Sequence, residues 1–498
     1  MSHYLGIDIG TYQSKGVLVD GKGAILATAM RPHKMLVPQP GWAEHRADED
    51  WWADFCAISR EVIASSGVAP SSILAVAASA IGPCMLPVDR DGRPLMNAVL
   101  YGVDTRATAE IADLNDEIGS DVIFERCGNA LTAQSVGPKI LWLRRQRQDL
   151  YAKAAKILTS TSYLVWRLTG EYVIDHYTAA NFSPLYDVEA LGWFDRLTSA
   201  IIPLDRLPRP AWSTEIAGAV TEEASRETGL AKGTKVTVGT VDAAAEALSA
   251  GVLAPGEMMI MYGSTIFTIM LSAERIRDPR LWYAPWLFPG QHASMAGLAT
   301  SGTLTHWFRE QFARELAPEE AVARLAAEAG TSPEGARGLV LLPYFSGERT
   351  PIHDPDARGV LFGLDLTHGR ADIYRALLEG IGCATNHIVE TYREIGQPPL
   401  RVYAVGGGTN NPVWLQATSD ISSLEQVVPA RTVGASYGDA FMAACATGDA
   451  DIDDIRRWNP VERRLAPRAE HAETYARQFE KFRQLYEKTR PLLSAGLG

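Results

Sequence analysis

Three short segments of the 498-residue chain join glycine to residues that could bind phosphate. The first, GIDIGTYQSKG, ends an apolar run at Asp8 and continues into a turn with Gly10, Thr11, Ser14 and Lys15. Glycine lets backbone N–H groups approach an anion, hydroxyl groups add donors, and lysine adds charge. Asp8 would suit Mg2+, which prefers carboxylate and water ligands beside a phosphate. The alternative is an ordinary hairpin with a polar tip.

The other two glycine segments lie in the second half of the chain. YGST holds Gly263, Ser264 and Thr265. AVGGGTNN holds Gly407, Gly408 and Asn411. A planar base could lie against the bare backbone of AVGGGTNN, although a plain loop is the other interpretation. No G-x-x-x-x-G-K-[ST] motif occurs, so the chain is not a P-loop protein.

A lone carboxylate stands in KVTVGTVDAAAEALSAGVL, where a predicted strand gives way to an Ala-rich helix. This residue is Asp242, and aspartate is a favoured helix cap, so capping is the structural alternative to chemistry. A second segment, GASYG at 434–438, matches the G-x-S-x-G pattern of serine hydrolases. Only residues 439–498 follow it, too few for the remaining strands of a hydrolase sheet. We therefore expect Gly434 and Gly438 to allow close packing at a helix start.

Composition limits the classes of function. The chain is 46% hydrophobic and 21% charged, typical of a globular protein in water, and its net charge of -12 argues against nucleic-acid binding. Its apolar runs are shorter than the ~20 residues of a membrane span. Five scattered cysteines without a C-x-x-C pair favour a cytoplasmic location and argue against a zinc site. A small molecule is the expected partner.

Hydrophobic patterning places these segments in an α/β fold. Residues 4–30 predict a β-meander, residues 73–95 predict two more strands, and residues 105–170 are mostly helical. A second hairpin is predicted at 256–274, followed by helices, a strand and the AVGGGTNN loop. We interpret this order as two similar domains, each opening on a hairpin whose tip carries glycine and hydroxyl residues.

Taken together, the segments resemble the FGGY family of carbohydrate kinases, nearest to its xylulokinase-like members. PYFSGERTP, GVLFGLDLTHGRADIYRALLEG and VGGGTNNPVWLQATSDISS extend the resemblance over nearly the whole chain. It implies the actin/hexokinase-like ATPase fold, with two ribonuclease H-like domains of mixed sheets flanked by helices and an interdomain cleft. The N-terminal domain would be 1–247 and the C-terminal domain 248–498, ending in a helical tail.

The resemblance also implies roles for single residues. ATP would donate its γ-phosphate to a hydroxyl of a small ketose or polyol, and Asp242 would be the general base. Asp8 would hold Mg2+, mostly through water. The turns at 10–15 and 263–265 would hold the phosphates, and Gly407, Gly408 and Asn411 would border adenine and ribose. Related kinases are often dimers, so a homodimer is an open expectation.

The sugar site departs from the family pattern. Where xylulokinases have Gln-Met-His-Gly, this chain has Ile81, Gly82, Pro83 and Cys84. Ala243 replaces the usual amide residue after the catalytic aspartate, while YGVDTR keeps Asp104 and Arg106. Unpaired polar groups cost ~1–3 kcal/mol each, so these losses count against D-xylulose. Ribulose, another pentulose, a tetrulose or erythritol, and glycerol remain as acceptors. An actin-like nucleotide-binding ATPase without a sugar acceptor is the rival, disfavoured by Asp242 and SGERTP.

Overall fold

A computed structural model describes residues 2–194 and 200–494. Contacts divide the chain into two compact units, each an α/β structure with a mixed sheet and flanking helices. The first unit comprises Met1–Leu253, Ala273–Ala293 and Val433–Asn459, and the second comprises Ala254–Ser272, Ser294–Thr432 and Pro460–Gly498. The predicted α/β fold with two domains is confirmed. The division between residues 247 and 248 stays a prediction, because the units defined by contacts are discontinuous in sequence.

The strands, in chain order, are β1 (His3–Ile9), β2 (Gln13–Asp20), β3 (Ile25–Pro32), β4 (Glu44–His45), β5 (Ile73–Ala80), β6 (Leu86–Val88), β7 (Ala98–Val99), β8 (Lys156–Leu158), β9 (Val173–Asp175), β10 (Tyr186–Asp187), β11 (Gly192–Trp193), β12 (Arg209–Ala211), β13 (Ile216–Ala219), β14 (Lys235–Thr237), β15 (Thr240–Val241), β16 (Glu257–Tyr262), β17 (Ile266–Ser272), β18 (Trp282–Pro285), β19 (His292–Gly297), β20 (Val340–Leu342), β21 (Val360–Phe362), β22 (Arg401–Val405), β23 (Gln426–Pro429) and β24 (Val461–Leu465).

The α-helices of the described residues are α1 (Ala53–Ser66), α2 (Thr108–Ile118), α3 (Ser120–Cys127), α4 (Val136–Gln146), α5 (Gln148–Lys153), α6 (Ser160–Thr169), α7 (His176–Ala179), α8 (Glu222–Thr228), α9 (Asp242–Ala250), α10 (Gly302–Phe312), α11 (Pro318–Ala329), α12 (Arg370–Glu394), α13 (Pro412–Ser422), α14 (Ala435–Thr447), α15 (Ile455–Trp458) and α16 (Ala472–Ser494). None of these helices is long and apolar enough to cross a lipid bilayer.

The sheet of the first unit has the order β13-β14-β5-β1-β2-β3, with β15 continuing beside β5. The predicted meander is confirmed, because β1, β2 and β3 pair antiparallel in succession. Strand β5 then pairs parallel to β1, and β14 and β15 pair parallel to β5. The carboxyl ends of β1, β5 and β15 therefore lie along one edge of the sheet.

Two glycines show how helices cover the sheet of the first unit. A Cβ added at Gly16 would lie 2.3 Å from a side-chain carbon of Ile58 in α1, and one at Gly6 would lie 1.9 Å from the Ser436 carbonyl oxygen in α14. Gly16 pairs directly with Ile7, the neighbour of Gly6. Because successive strand residues point to opposite faces, α1 covers the Ile7 face and α14 covers the Gly6 face.

The close approach of α14 to α9 depends on small side chains. A Cβ added at Gly438 would lie 2.0 Å from the Ala245 carbonyl oxygen, and Gly434 has a φ of 94° just before α14 begins. The predicted role of these glycines in close packing is confirmed. Ser436, the serine of the G-x-S-x-G pattern, is completely buried. The same packing brings α14 onto the face of the sheet that carries Asp8.

The sheet of the second unit repeats the strand path of the first. Its hairpin β16–β17 is antiparallel, β22 pairs parallel to β16, β23 pairs parallel to β22, and β24 pairs antiparallel to β23. The matching strands of the first unit are β1–β2, β5, β14 and β13. The two paths differ at their outermost strand. In the first unit, β13 comes before its neighbour β14 in the sequence, whereas in the second unit β24 comes after its neighbour β23. This common path supports the predicted internal similarity.

Candidate active site

The turn between β1 and β2 is the first predicted phosphate turn. The N–H of Gly10 donates to the carbonyl of Gln13 at 3.1 Å, which closes the turn, and the Thr11 hydroxyl lies 3.1 Å from the Tyr101 hydroxyl. Asp8 and Lys15 are direct partners in the β1–β2 ladder. Their side chains therefore share one face, so the structure brings together the carboxylate and the ammonium group that the sequence singled out.

Ser14 lies elsewhere. It pairs with Ile9 in the ladder, which places its side chain on the α1 face, opposite Asp8 and Lys15. The residue is completely buried, and its hydroxyl donates to the Asp54 carboxylate at 2.7 Å. The sequence signal that could have predicted this placement is the alternation of side chains along a strand, which puts Ser14 and Lys15 on opposite faces.

Asp242 is the first residue of α9 and directly follows β15. Thr240 of β15 and Asp8 of β1 both pair with Ser79 of β5, so three adjacent strand ends carry these groups to one edge of the sheet. The carboxylate accepts the N–H of Ala243 at 2.7 Å. Val241, not Asp242, occupies the helix-cap position. The carboxylate thus satisfies one N–H of the first helical turn and is at the same time partly exposed.

Four carboxylates from three places in the sequence gather beside this edge: Asp8, Asp242, Glu246 and Asp439. The Ser79 hydroxyl lies 2.7 Å from Asp439 and 3.3 Å from Asp8, and its single proton can serve one of them at a time. Asp439 is completely buried, and its Oδ1 has no hydrogen-bond partner in the described part of the chain. Sequence reasoning missed Ser79, Glu246 and Asp439.

Burial and mutual repulsion change how these carboxylates hold protons. Burial raises the pKa of Asp242 to about 6. Burial and then the charge of Asp242 raise the pKa of Glu246 to about 7, against the opposing effect of Lys15. The pKa of Asp8 also rises, first through burial and then through Asp242, Asp439 and Glu246. Asp242 is thus a stronger base than an ordinary aspartate, yet still ionised above neutral pH.

The segment predicted to contact substrate packs beside Asp242. The N–H of Ile81 donates to the carbonyl of Ile9 at 2.8 Å, and a Cβ added at Gly82 would lie 2.6 Å from the Val241 side chain. Ile81, Pro83 and Cys84 are buried, and the Cys84 thiol points to the Ile81 carbonyl at 3.5 Å. The segment 81–84 therefore contributes no charged or amide side chain to a ligand.

Asp104 and Arg106 form a buried pair. The Arg106 guanidinium donates to Asp104 and to Glu44, each at 2.8 Å, and its Cζ lies 3.8 Å from the centre of the Trp42 ring. Asp104 also accepts the N–H of Ala43 at 2.7 Å. Both side chains have no exposed surface. The geometry shows them joining their loop to the segment 42–44; their assignment to substrate binding stays a prediction.

The second unit contains a cavity of about 290 Å³ at the tip of its hairpin. Five residues predicted for ATP line it: Gly263, Ser264, Gly407, Gly408 and Asn411. Thr265 closes the hairpin turn, since its carbonyl accepts the N–H of Gly263 at 3.1 Å. Sequence reasoning missed further lining residues, namely Tyr262, Gly302, Thr305, His306, Val322, Tyr374 and Trp414.

The cavity suits a nucleotide. The Asn411 side chain caps α13 through its oxygen, but its Nδ2 and the Trp414 Nε1 are buried donors without a partner among the described residues. Unsatisfied buried donors are costly, so a ligand with acceptors would stabilise them. The hairpin tip packs closely against α10. The N–H of Gly302 donates to the Gly263 carbonyl at 3.0 Å, and a Cβ added at Gly302 would lie 2.4 Å from that oxygen.

The fit of a metal ion rests on Asp8. Among residues 2–194 and 200–494, no group of three or more His, Cys, Asp or Glu side chains is placed to hold a metal. Mg2+ commonly binds through one or two carboxylates together with water and substrate phosphates, and does not need such a cage. Asp8, which pairs with Lys15 and has three further carboxylates nearby, fits this mode of binding.

Comparisons with known proteins agree on one family. The FGGY family of carbohydrate kinases matches residues 3–249 with its N-terminal domain and 258–447 with its C-terminal domain. The crystal structure of xylulose kinase from Rhodospirillum rubrum has a TM-score of 0.92 and 32% identity, covering 99% of this chain and 100% of that one. Xylulose kinase of Bacillus subtilis (strain 168) is 27% identical over 99% of each chain, and gluconokinase of that organism is 26% identical over 91% of this chain and 89% of its own. The fold is the actin-like ATPase fold.

Proposed function

The chain belongs to the FGGY family of carbohydrate kinases and is an ATP-dependent sugar kinase that uses Mg2+, and we propose that Asp242 is its general base and that its acceptor is a neutral ketose or polyol. The position of Asp242 carries the first part of the proposal. It is a partly exposed carboxylate at the sheet edge that also carries Asp8 and Lys15. A base needs only hydrogen-bond reach of the hydroxyl from which it takes the proton.

The electrostatics of Asp242 support this role. Its pKa of about 6 leaves it ionised at pH 7.5, yet makes it a better proton acceptor than an aspartate in water. In the proposed step, the acceptor hydroxyl loses its proton to Asp242 as its oxygen attacks the γ-phosphorus and ADP leaves. Such reactions depend on positioning and charge stabilisation more than on covalent catalysis.

Other residues bind and orient the reactants. The cavity lined by Gly263, Gly407 and Asn411 would bind the nucleotide, and Lys15 with the backbone of the first turn would meet its phosphates. Asp8 would hold Mg2+, which when bound neutralises charge on the phosphate oxygens. Burial and then repulsion by the three carboxylates around Asp8 raise its pKa, so Mg2+ would compete with a proton for this carboxylate.

The ionised carboxylate of Asp242 favours a neutral acceptor. A sugar acid such as gluconate would bring a further carboxylate into the site that holds Asp242, at a cost set by like-charge repulsion. The Arg106 guanidinium is engaged by Asp104 and Glu44. Because the segment 81–84 supplies no charged or amide side chain, we expect D-xylulose to be a poorer substrate than at least one other ketose or polyol.

A substrate panel tests the proposal. ADP release would be measured with D-xylulose, ribulose, erythrulose, erythritol, glycerol and gluconate, each at several concentrations, with ATP and Mg2+ and without acceptor as the blank. We expect one neutral compound to give the highest kcat/KM and gluconate to give no rate above the blank. Phosphorylation of gluconate would refute the neutral acceptor, and a best kcat/KM with D-xylulose would refute our interpretation of Ile81–Cys84. If ADP were released at the same rate with and without every acceptor, the result would favour an actin-like ATPase without a sugar acceptor.

A further inference from the structure

His33 is a buried histidine that contacts the first phosphate turn twice. It directly follows β3, and its backbone N–H donates to the Tyr12 carbonyl at 3.0 Å. Its ring Nε2 lies 2.9 Å from the Gly10 carbonyl oxygen. His33 thus links both Gly10 and Tyr12 of the turn to the end of β3. Its side chain is only 5% exposed.

The other ring nitrogen faces a carboxylate. His33 Nδ1 lies 3.0 Å from Asp54 Oδ2, an oxygen that also accepts the Ser14 hydroxyl at 2.7 Å. A carbonyl oxygen and a carboxylate oxygen can only accept hydrogen bonds, so each ring nitrogen must carry a proton for both contacts to form. Both protons are present together only in the imidazolium form of His33.

The charged groups around the ring agree with this state. Burial opposes the charged imidazole, but the hydrogen bonds to Asp54 and the Gly10 carbonyl and the charges of Asp54 and Asp50 outweigh it, so the pKa of His33 lies above its usual 6.5. The ring of His45 lies edge-on at 5.0 Å, but burial and His33 lower its pKa to about 4, so it is neutral. Asp50 is itself paired with Arg46 at 2.6 Å.

We propose that His33, as an imidazolium held by Asp54, is a positioning residue that aims the backbone of the first phosphate turn at the nucleotide. In a planar trans peptide, the carbonyl and the next N–H point in opposite directions. Fixing the Gly10 carbonyl on His33 therefore turns the Thr11 N–H away from the ring, as phosphate binding requires. This inference rests on the proposed function, because that function assigns the turn to ATP.

Protonation can be measured without any turnover. The whole protein, labelled with 15N at histidine, would be titrated from pH 5 to pH 9 by NMR, with His33 signals assigned from a His33→Gln variant. We expect both ring nitrogens of His33 to remain protonated to a pH above 6.5, while His45 stays neutral throughout. A single-proton tautomer of His33 at pH 6 would overturn the inference, whatever reaction the enzyme catalyses.

Nucleotide binding tests the positioning role. Two variants test the role of the ring: His33→Gln keeps a neutral hydrogen-bond donor, and His33→Leu removes both donors. The matched control is His3→Gln, because His3 begins β1 at the end away from the phosphate turn. A hydrogen bond to a charged group is worth roughly tenfold or more in binding, so we expect both His33 variants to bind AMP-PNP about tenfold more weakly by calorimetry, with melting temperatures recorded in parallel. The KM for sugar should change less than twofold.

A pH profile separates this role from a purely structural one. The imidazolium exists below the folded pKa of His33, so the wild-type KM for ATP divided by the KM of His33→Gln should rise as pH increases through that value. Carboxylates such as Glu246 titrate in both proteins and cancel in this ratio. Unchanged AMP-PNP affinity in both His33 variants, or the same pH dependence in His33→Gln, would overturn the proposal. If no sugar is phosphorylated but AMP-PNP binding and protonation behave as stated, the proposed function fails and the role of His33 in nucleotide binding stands.

Discussion

Glu246 gives a quantitative test of the carboxylate cluster. It lies one turn after Asp242 on α9, and its pKa rises from 4.5 to about 7 through burial and the charge of Asp242. Because the folded state binds this proton more tightly than the unfolded chain, the free energy of unfolding falls as pH rises from 4.5 to 7. The shift of about 2.5 pH units corresponds to roughly 3 kcal/mol at about 1.4 kcal/mol per unit.

Glu246→Gln removes this charge and should therefore abolish the fall in the free energy of unfolding between pH 4.5 and pH 7. We expect the variant to equal the wild type near pH 4.5 and to exceed it progressively up to pH 7.5. Since 1 kcal/mol shifts the melting temperature of a large domain by about 2–4 °C, the gain at pH 8 should be roughly 6–12 °C by scanning calorimetry. Glu117→Gln, at an exposed carboxylate of the same unit, is the control. A gain that is absent at pH 8, or equal at pH 4.5 and pH 8, would refute the reasoning.

Three further predictions concern the base and the packing around the two sites. With a pKa of about 6 for Asp242, kcat/KM should fall about tenfold per pH unit below pH 6, because the base must be ionised; a flat profile to pH 5 would contradict this. Gly438→Ala places a Cβ 2.0 Å from the Ala245 carbonyl and should destabilise the protein by about 1–3 kcal/mol in urea titrations; an unchanged midpoint would contradict it. Gly302→Ala, 2.4 Å from the Gly263 carbonyl, should weaken ADP binding at least tenfold by calorimetry, and full affinity would contradict it.

Local patterns in the sequence were sufficient to predict the elements and several site positions. Short apolar runs predicted the meander β1–β3 and the hairpin β16–β17, and glycine with hydroxyl residues marked the tips of both hairpins. One cavity of the second unit is lined by Gly263, Gly407 and Asn411, which the sequence singled out for ATP. These positions were predictable because each depends on a few consecutive residues.

The rest depends on contacts between distant parts of the chain. Asp439 meets Ser79 across 360 positions, which only the packing of α14 on the sheet explains. The position of Glu246 could have been predicted from the sequence, because it lies four residues after Asp242 in a predicted helix and therefore shares a helix face with it. Ser14 was placed with the phosphate turn by proximity, although strand alternation turns it toward Asp54. His33 carried no motif, and its role depends on the geometry of Gly10 and Asp54.

The most direct test of the central claim is the turnover of Asp242→Asn. The substitution keeps the shape of the side chain and removes the proton acceptor. With the best acceptor of the panel, we predict that sugar-dependent ADP release falls by about 10²–10⁴-fold, while AMP-PNP affinity changes less than twofold. The exposed Asp116→Asn should retain wild-type turnover. Sugar-dependent ADP release by Asp242→Asn within tenfold of the wild type would show that Asp242 is not the base.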